Sequence, residues 1–156
     1  MAHTVMLRAP LFIGLLLFTS PLFGQTKEPI RLYLFTAPSE FVDQEFKNRR
    51  DATEDIRRQL QGKSDIQLVE PPAAADVTVE VLRRSREDDD RPSDQKNPST
   101  LMLIKLRLSA GTYSTELTGD SKPSFTQRRS AARDAGNRVL KWVKDNRDRL
   151  IAARGK

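Results

Sequence analysis

Apolar residues alternate with polar ones over several short stretches and recur at helical spacing over two longer ones. In residues 30–36 the Ile30, Leu32, Leu34 set is apolar, and so are Tyr33 and Phe35 between them, which predicts a central strand covered on both faces. Ala37-Pro38-Ser39 breaks it. Val42, Phe46, Ala52, Ile56 and Leu60 then share one stripe and predict a helix over about 40–61. Glu40, Asp43 and Glu45 crowd its start, and Gly62 sits where it would stop. Residues 66–70 read as a short strand ended by Pro71-Pro72. Val77, Val79 and Val81, and then Met102, Ile104, Leu106 and Leu108, alternate strictly and predict two strands with one core face each. Ala110-Gly111 reads as a two-residue turn with glycine available for positive φ, so 112–118 should return as a hairpin partner. That partner is poor in apolar residues. Tyr113 and Leu117 on one face mark it as an edge or partly exposed strand.

The last element is a long helix. Ser124 and Gln127 match a capping box just after Pro123. Beyond it, Ala132, Ala135, Gly136, Val139, Val143, Asn146 and Leu150 fall on one face, flanked by Leu140 and Trp142. The pattern predicts an α+β fold: a single mixed sheet of about five strands with two helices packed on it, in the order β-α-β-β-β-β-α.

Residues 1–24 stand apart from this domain. Arg8 precedes an apolar run at 11–18, Thr19, Ser20 and Pro21 end the run, and small Gly24 precedes Gln25. This is the layout of a secretory signal peptide, and eight apolar residues are too few to span a bilayer. With no cysteine after the run, a lipid anchor is not expected. The expectation is a chain processed near Gln25, without a transmembrane segment after cleavage, periplasmic or secreted, with 25–156 forming one domain.

Composition then removes several chemistries. The chain has no cysteine, and its one histidine, His3, lies in the segment expected to be cleaved. Disulfides, thiolate nucleophiles, Cys/His zinc sites and triads with a histidine base are excluded from the processed chain. Residues 85–100, dense in charge with two prolines and no apolar side chain, read as a mobile loop. Within it Glu87 to Asp90 lacks the spacing and glycine of a calcium loop. Ser93-Asp94-Gln95-Lys96 matches S-x-x-K but has neither the helix nor the partner motifs of the serine enzymes that use it. No catalytic residue, cofactor or metal site is expected. A small hydrolase using carboxylates alone remains the rival reading.

Charge supplies the candidate site. Residues 127–156 carry ten Lys or Arg against three Asp, within a chain of formal net charge +6. On a helical wheel with Ala132 at 0°, Arg133, Lys144, Lys141, Arg138 and Arg149 project at about 100°, 120°, 180°, 240° and 260°, away from the apolar stripe. These five are the candidate contacts to an anionic partner, either an envelope surface or an unknown envelope protein. The alternative is a solvated face that also suits the helix dipole. Nucleic acid is an unlikely partner, because export removes the usual targets and no exposed aromatic residues interleave the cations.

The succession of the 30–36 strand, a helix, Ile-Gln-Leu-Val-Glu at 66–70, Ala75-Asp76-Val77 opening the next strand, a charged loop, a hairpin and an alanine-rich closing helix resembles the small α+β domain of bacterial envelope proteins. The resemblance is to the TolB amino-terminal domain and the CsgG and LpoB group. Arg83-Arg84 replaces the glycine often found after the Ala-Asp strand in that group. The resemblance implies an exported, non-enzymatic accessory or binding protein of the cell envelope, with no catalytic residue to carry over. A purely structural partner subunit is the third reading; it would present an apolar patch beside Tyr113 and Leu117.

Overall fold

A computed structural model of the chain describes residues 27–88, 100–121 and 127–154. The expected signal peptide, the S-x-x-K stretch and Ser124 of the capping box lie outside them. The elements follow in the order β1 (Ile30–Phe35), α1 (Gln44–Leu60), β2 (Ile66–Leu68), a 3₁₀ turn at Pro72–Ala74, β3 (Val77–Asp88), β4 (Thr100–Ala110), β5 (Tyr113–Asp120), α2 (Gln127–Asp145) and α3 (Arg147–Ala153). They form the expected α+β fold, one five-stranded mixed sheet in the order β2-β1-β3-β4-β5. β1 runs parallel to β2 and β3, and β3, β4 and β5 are antiparallel neighbours. Among the described residues the helices number three instead of two.

The strand alternation sets the core. Ile30, Leu32, Leu34, Val77, Val79, Val81, Ile104, Leu106 and Leu108 point to the helix side and are buried against Ala52, Ile56 and Leu60 of α1 and Ala131, Ala132, Ala135, Val139 and Val143 of α2. The opposite face of the sheet is half-buried. There Tyr33 stacks on Phe35, and Arg107 bridges Glu80 and Glu116 across three strands. Small residues let the layers close: a Cβ on Gly119 of β5 would sit 2.5 Å from the Ala135 Cβ, and one on Gly136 would sit 3.2 Å from the Gln59 Cβ of α1.

Five boundaries differ from the sequence expectation. α1 begins at Gln44 because the Asp43 side chain accepts from the Phe46 N–H at 2.7 Å, so the cap falls at the second of the three acids. Val42 consequently lies outside the helix and is exposed, and the buried stripe starts at Ala52. β2 ends at Leu68, two residues early, with one further rung from the Val69 N–H to the Leu32 carbonyl. The hairpin turn is Gly111-Thr112, since Ala110 already pairs with Tyr113, and Gly111 takes the positive φ of 57°. The closing helix breaks at Asn146, whose φ of −110° and ψ of 7° leave the helical region. Both its backbone N–H and its Nδ2 donate to the Trp142 carbonyl, ending α2, while its own carbonyl accepts from Leu150 of α3.

The fifth difference is the extent of β3. Residues 85–88 belong to this strand and not to a loop, pairing with residues 100–103 of β4. The register shifts between Val81 and Arg83, which face the adjacent residues Leu106 and Lys105, so Leu82 is the extra residue of a β-bulge. A bulge reverses the alternation. Arg84, and not Arg83, therefore continues the inward row of Val77, Val79 and Val81, opposite Ile104.

Candidate anionic-partner surface

With the apolar stripe of α2 turned to the sheet, its cations line the solvent side, and the structure gives each of the five a definite setting. Arg133 is exposed and has no ion pair among the described residues. Arg138 Nε donates to Asp134 Oδ2 at 2.7 Å, and its Nη2 lies 3.5 Å from Asp120 Oδ2. Those carboxylates hold its guanidinium above its ordinary pKa, the Asp134 hydrogen bond contributing most. Lys141 pairs with Asp145 at 2.6 Å, one turn on, and Lys144 reaches Asp65 before β2 at 3.1 Å. Arg149 lies on α3, its guanidinium 4.6 Å from the Tyr113 ring centroid, and Tyr113 stacks on Trp142 at 6.1 Å. The hairpin end of β5 is thus covered by a cation–aromatic–aromatic stack that spans the α2–α3 break. Arg133, Arg138, Lys141 and Lys144 share α2, whereas the break at Asn146 removes the single continuous helix on which the wheel placed Arg149 with them.

A second charged centre was not anticipated as a site. Asp76, just before β3, has a side chain only 3% exposed. It accepts from the Arg31 backbone N–H at 2.7 Å, from Arg31 Nη2 at 2.7 Å and from Arg154 Nε at 2.8 Å. Arg154 also donates to the Pro29 carbonyl and pairs with Glu28. Burial alone would raise the carboxyl pKa, but the hydrogen bonds from Arg154 and Arg31 outweigh it and bring it down to about 2. The cluster ties the start of β1, the start of β3 and the end of α3 together. Only the isolated Asp between Ala75 and Val77 signals it in the sequence; Arg154 is 78 residues away.

Among the described residues no group of three or more metal-ligating side chains converges, and no helix is long and apolar enough to cross a membrane. No family model matches the chain, and no curated protein does. Among solved structures it is similar to a minor lipoprotein from Acinetobacter baumannii, at 15% sequence identity and a TM-score of 0.44, over 75% of this chain and 94% of that one.

Proposed function

We propose that the protein is an exported, non-enzymatic accessory protein of the bacterial cell envelope, periplasmic or secreted, that meets an anionic partner with the outer face of α2. The signal-peptide layout of residues 1–24 and the resemblance to the TolB and LpoB domains support the location. The observation that carries the contact is the way the cations are held. Arg138, Lys141 and Lys144 pair only with partly exposed carboxylates, and such pairs are each worth about 0–1 kcal/mol. A denser anionic surface can replace those partners at little cost, with Arg133 already free to meet it.

Two observations favour this reading over its rivals. A carboxylate-only hydrolase needs an acid with a raised pKa in a cleft. Asp76, the buried carboxylate of the arginine cluster, does not supply one, since its pKa is lowered and it is locked between two arginines. A structural subunit needs an open apolar patch, and at the place expected for it Tyr113 and Leu117 are half-buried, with Arg149 and Trp142 against the Tyr113 ring.

Co-sedimentation with vesicles of phosphatidylglycerol in phosphatidylcholine, at low and at physiological salt, tests the contact. A basic residue near an anionic surface is worth about 1 kcal/mol. Changing Arg138, Lys141 and Lys144 together to glutamine should therefore weaken low-salt binding by about a hundredfold. Added salt should weaken the wild type as well. Equal binding by the triple variant, or no wild-type binding at low salt, would remove the proposal.

A further inference from the structure

The β3 bulge places Arg84 on the buried side of the sheet, ion-paired to one carboxylate but with two guanidinium nitrogens that make no hydrogen bond. Arg84 is 7% exposed on the helix side of the sheet. Its Nε and Nη2 are buried without a hydrogen-bond partner. The nearest carboxylate oxygen, Asp55 Oδ2, is 3.2 Å from Nη2, within ion-pair distance but outside hydrogen-bond geometry. Asp55 is in any case shared, because Arg58 Nη2 holds its other oxygen at 2.5 Å. A buried guanidinium with unmade donors is costly, and the usual resolution is an acceptor supplied from outside.

The space beside it has the matching size and charge. A groove of about 120 Å³ opens between α1, the bulged end of β3 and the first turn of α2, where Arg84, Arg86 and Arg128 meet Asn48, with no carboxylate among the described residues of the wall. One water needs only about 10–15 Å³ on this measure, so the groove has space for several waters or for one tetrahedral oxyanion. Arg84 and Arg128 also wall an adjoining groove of about 300 Å³, which holds Asp51, Glu54 and Asp55 with Arg58 and Arg129. Together the two grooves bring five arginines against three acids. The first turn of α2 adds the positive end of a 19-residue helix. Guanidinium forks suit an acceptor with several oxygens in one plane or tetrahedron.

We infer that this groove is a phosphate-group site, in which Arg84 is the buried anchor and Arg86 and Arg128 close on the anion from the rim. It lies at the start of α2 and does not depend on Arg138, Lys141 or Lys144. The phosphate group is either free, as inorganic phosphate or a small phosphomonoester, or the headgroup of a lipid.

Isothermal titration of the exported chain with inorganic phosphate, at ionic strength held constant with chloride, tests the first source. Phosphatidic acid in phosphatidylcholine vesicles, against phosphatidylcholine alone, tests the second. Saturable phosphate binding that Arg84→Met abolishes, that Arg128→Gln weakens about tenfold, and that the α2 triple variant leaves unchanged establishes the site and a free ligand. Arg84- and Arg128-dependent binding to phosphatidic acid vesicles alone establishes the same site with a lipid headgroup. If circular dichroism shows that Arg84→Met does not fold, Arg128→Gln and Arg86→Gln decide in its place. Absence of binding in both arms, or binding indifferent to Arg128 and Arg86, overturns the inference. Loss in the α2 triple variant alone points to the outer face and overturns it equally.

Discussion

Asp76→Asn isolates the most heavily bonded carboxylate among the described residues, and its effect should depend on pH in a calculable way. The wild-type carboxyl titrates at about 2 when folded, against 3.8 for the ordinary group. That difference corresponds to about 2 kcal/mol of stability. Because the folded value is the lower one, the contribution is complete well above pH 4 and is lost as pH falls from there through 2. By pH 3 linkage removes roughly 1 kcal/mol of it. The asparagine variant has no such titration. It also turns an amide N–H₂ toward two arginines, so its deficit at pH 6 should be about 2–4 kcal/mol, below the largest costs of broken buried pairs because Arg31 is 41% exposed.

Urea unfolding of both proteins at pH 6, 5, 4 and 3 gives the comparison. Trp142, the single tryptophan, is a suitable probe because it stacks on Tyr113 beside the α2–α3 break. The gap between the two stabilities should narrow by about 1 kcal/mol between pH 6 and pH 3. Other carboxylates titrate in both proteins and cancel in the difference. A gap that stays constant over this range would show that the folded carboxyl is not depressed. A gap near zero at pH 6 would show that the Arg31–Asp76–Arg154 cluster holds nothing together.

Further tests address packing and processing. Gly119→Ala should cost several kcal/mol or abolish folding, because its Cβ would lie 2.6 Å from the Ala135 Cα and neither β5 nor α2 can withdraw alone; an unchanged melting temperature would refute this close approach. Val143→Asp should also cost several kcal/mol, since it buries an unpartnered carboxylate at a position that is 0% exposed, and thermal unfolding measures the loss. Asn146→Ala removes the side-chain bond to the Trp142 carbonyl and should cost about 1 kcal/mol while extending helical signal in circular dichroism across the break. Intact-mass measurement on exported material should find a chain that begins near Gln25; recovery of a membrane-bound chain that starts at Met1 would refute the signal-peptide expectation.

Periodic features were legible in the sequence, and irregular ones were not. The alternation of Val77, Val79 and Val81, and of Met102 through Leu108, placed two strands and their core faces correctly, because a period of two admits one buried side. The stripe from Ala132 to Val143 placed α2 for the same reason, missing only Ala131. The bulge at Leu82 left no such mark. With Arg at both 83 and 84, the sequence cannot say which one turns inward, and the loss of apolar residues after Leu82 looks like the end of a strand. Asn146 was equally ambiguous, since it sits on the apolar face at helical spacing and ends α2 through a bond that spacing does not encode. For the candidate surface, the wheel found the exposed cations but not their partners. Asp65 and Asp120 come from other elements, and only the folded arrangement brings them to Lys144 and Arg138.

The two cationic regions differ in a way that bears on what each can recognise. On the outer face of α2 the charges are solvated and have carboxylate partners within a turn or across a loop. Such charges respond to the average potential of a surface, with affinity that fades as salt is added. At the bulge Arg84 is desolvated, fixed by the sheet, and short of acceptors. A fixed, desolvated fork discriminates by geometry, because an anion must present oxygens where the donors already point. Both regions touch α2, the groove through Arg128 in its first turn and the other along its exposed side. A membrane or polymer rich in phosphate would engage the two together, the outer face supplying attraction over a distance and the groove supplying register. On that arrangement, loss of Arg84 should leave the salt dependence of surface binding nearly intact while lowering its preference for phosphate over other anions, and loss of the outer cations should do the reverse.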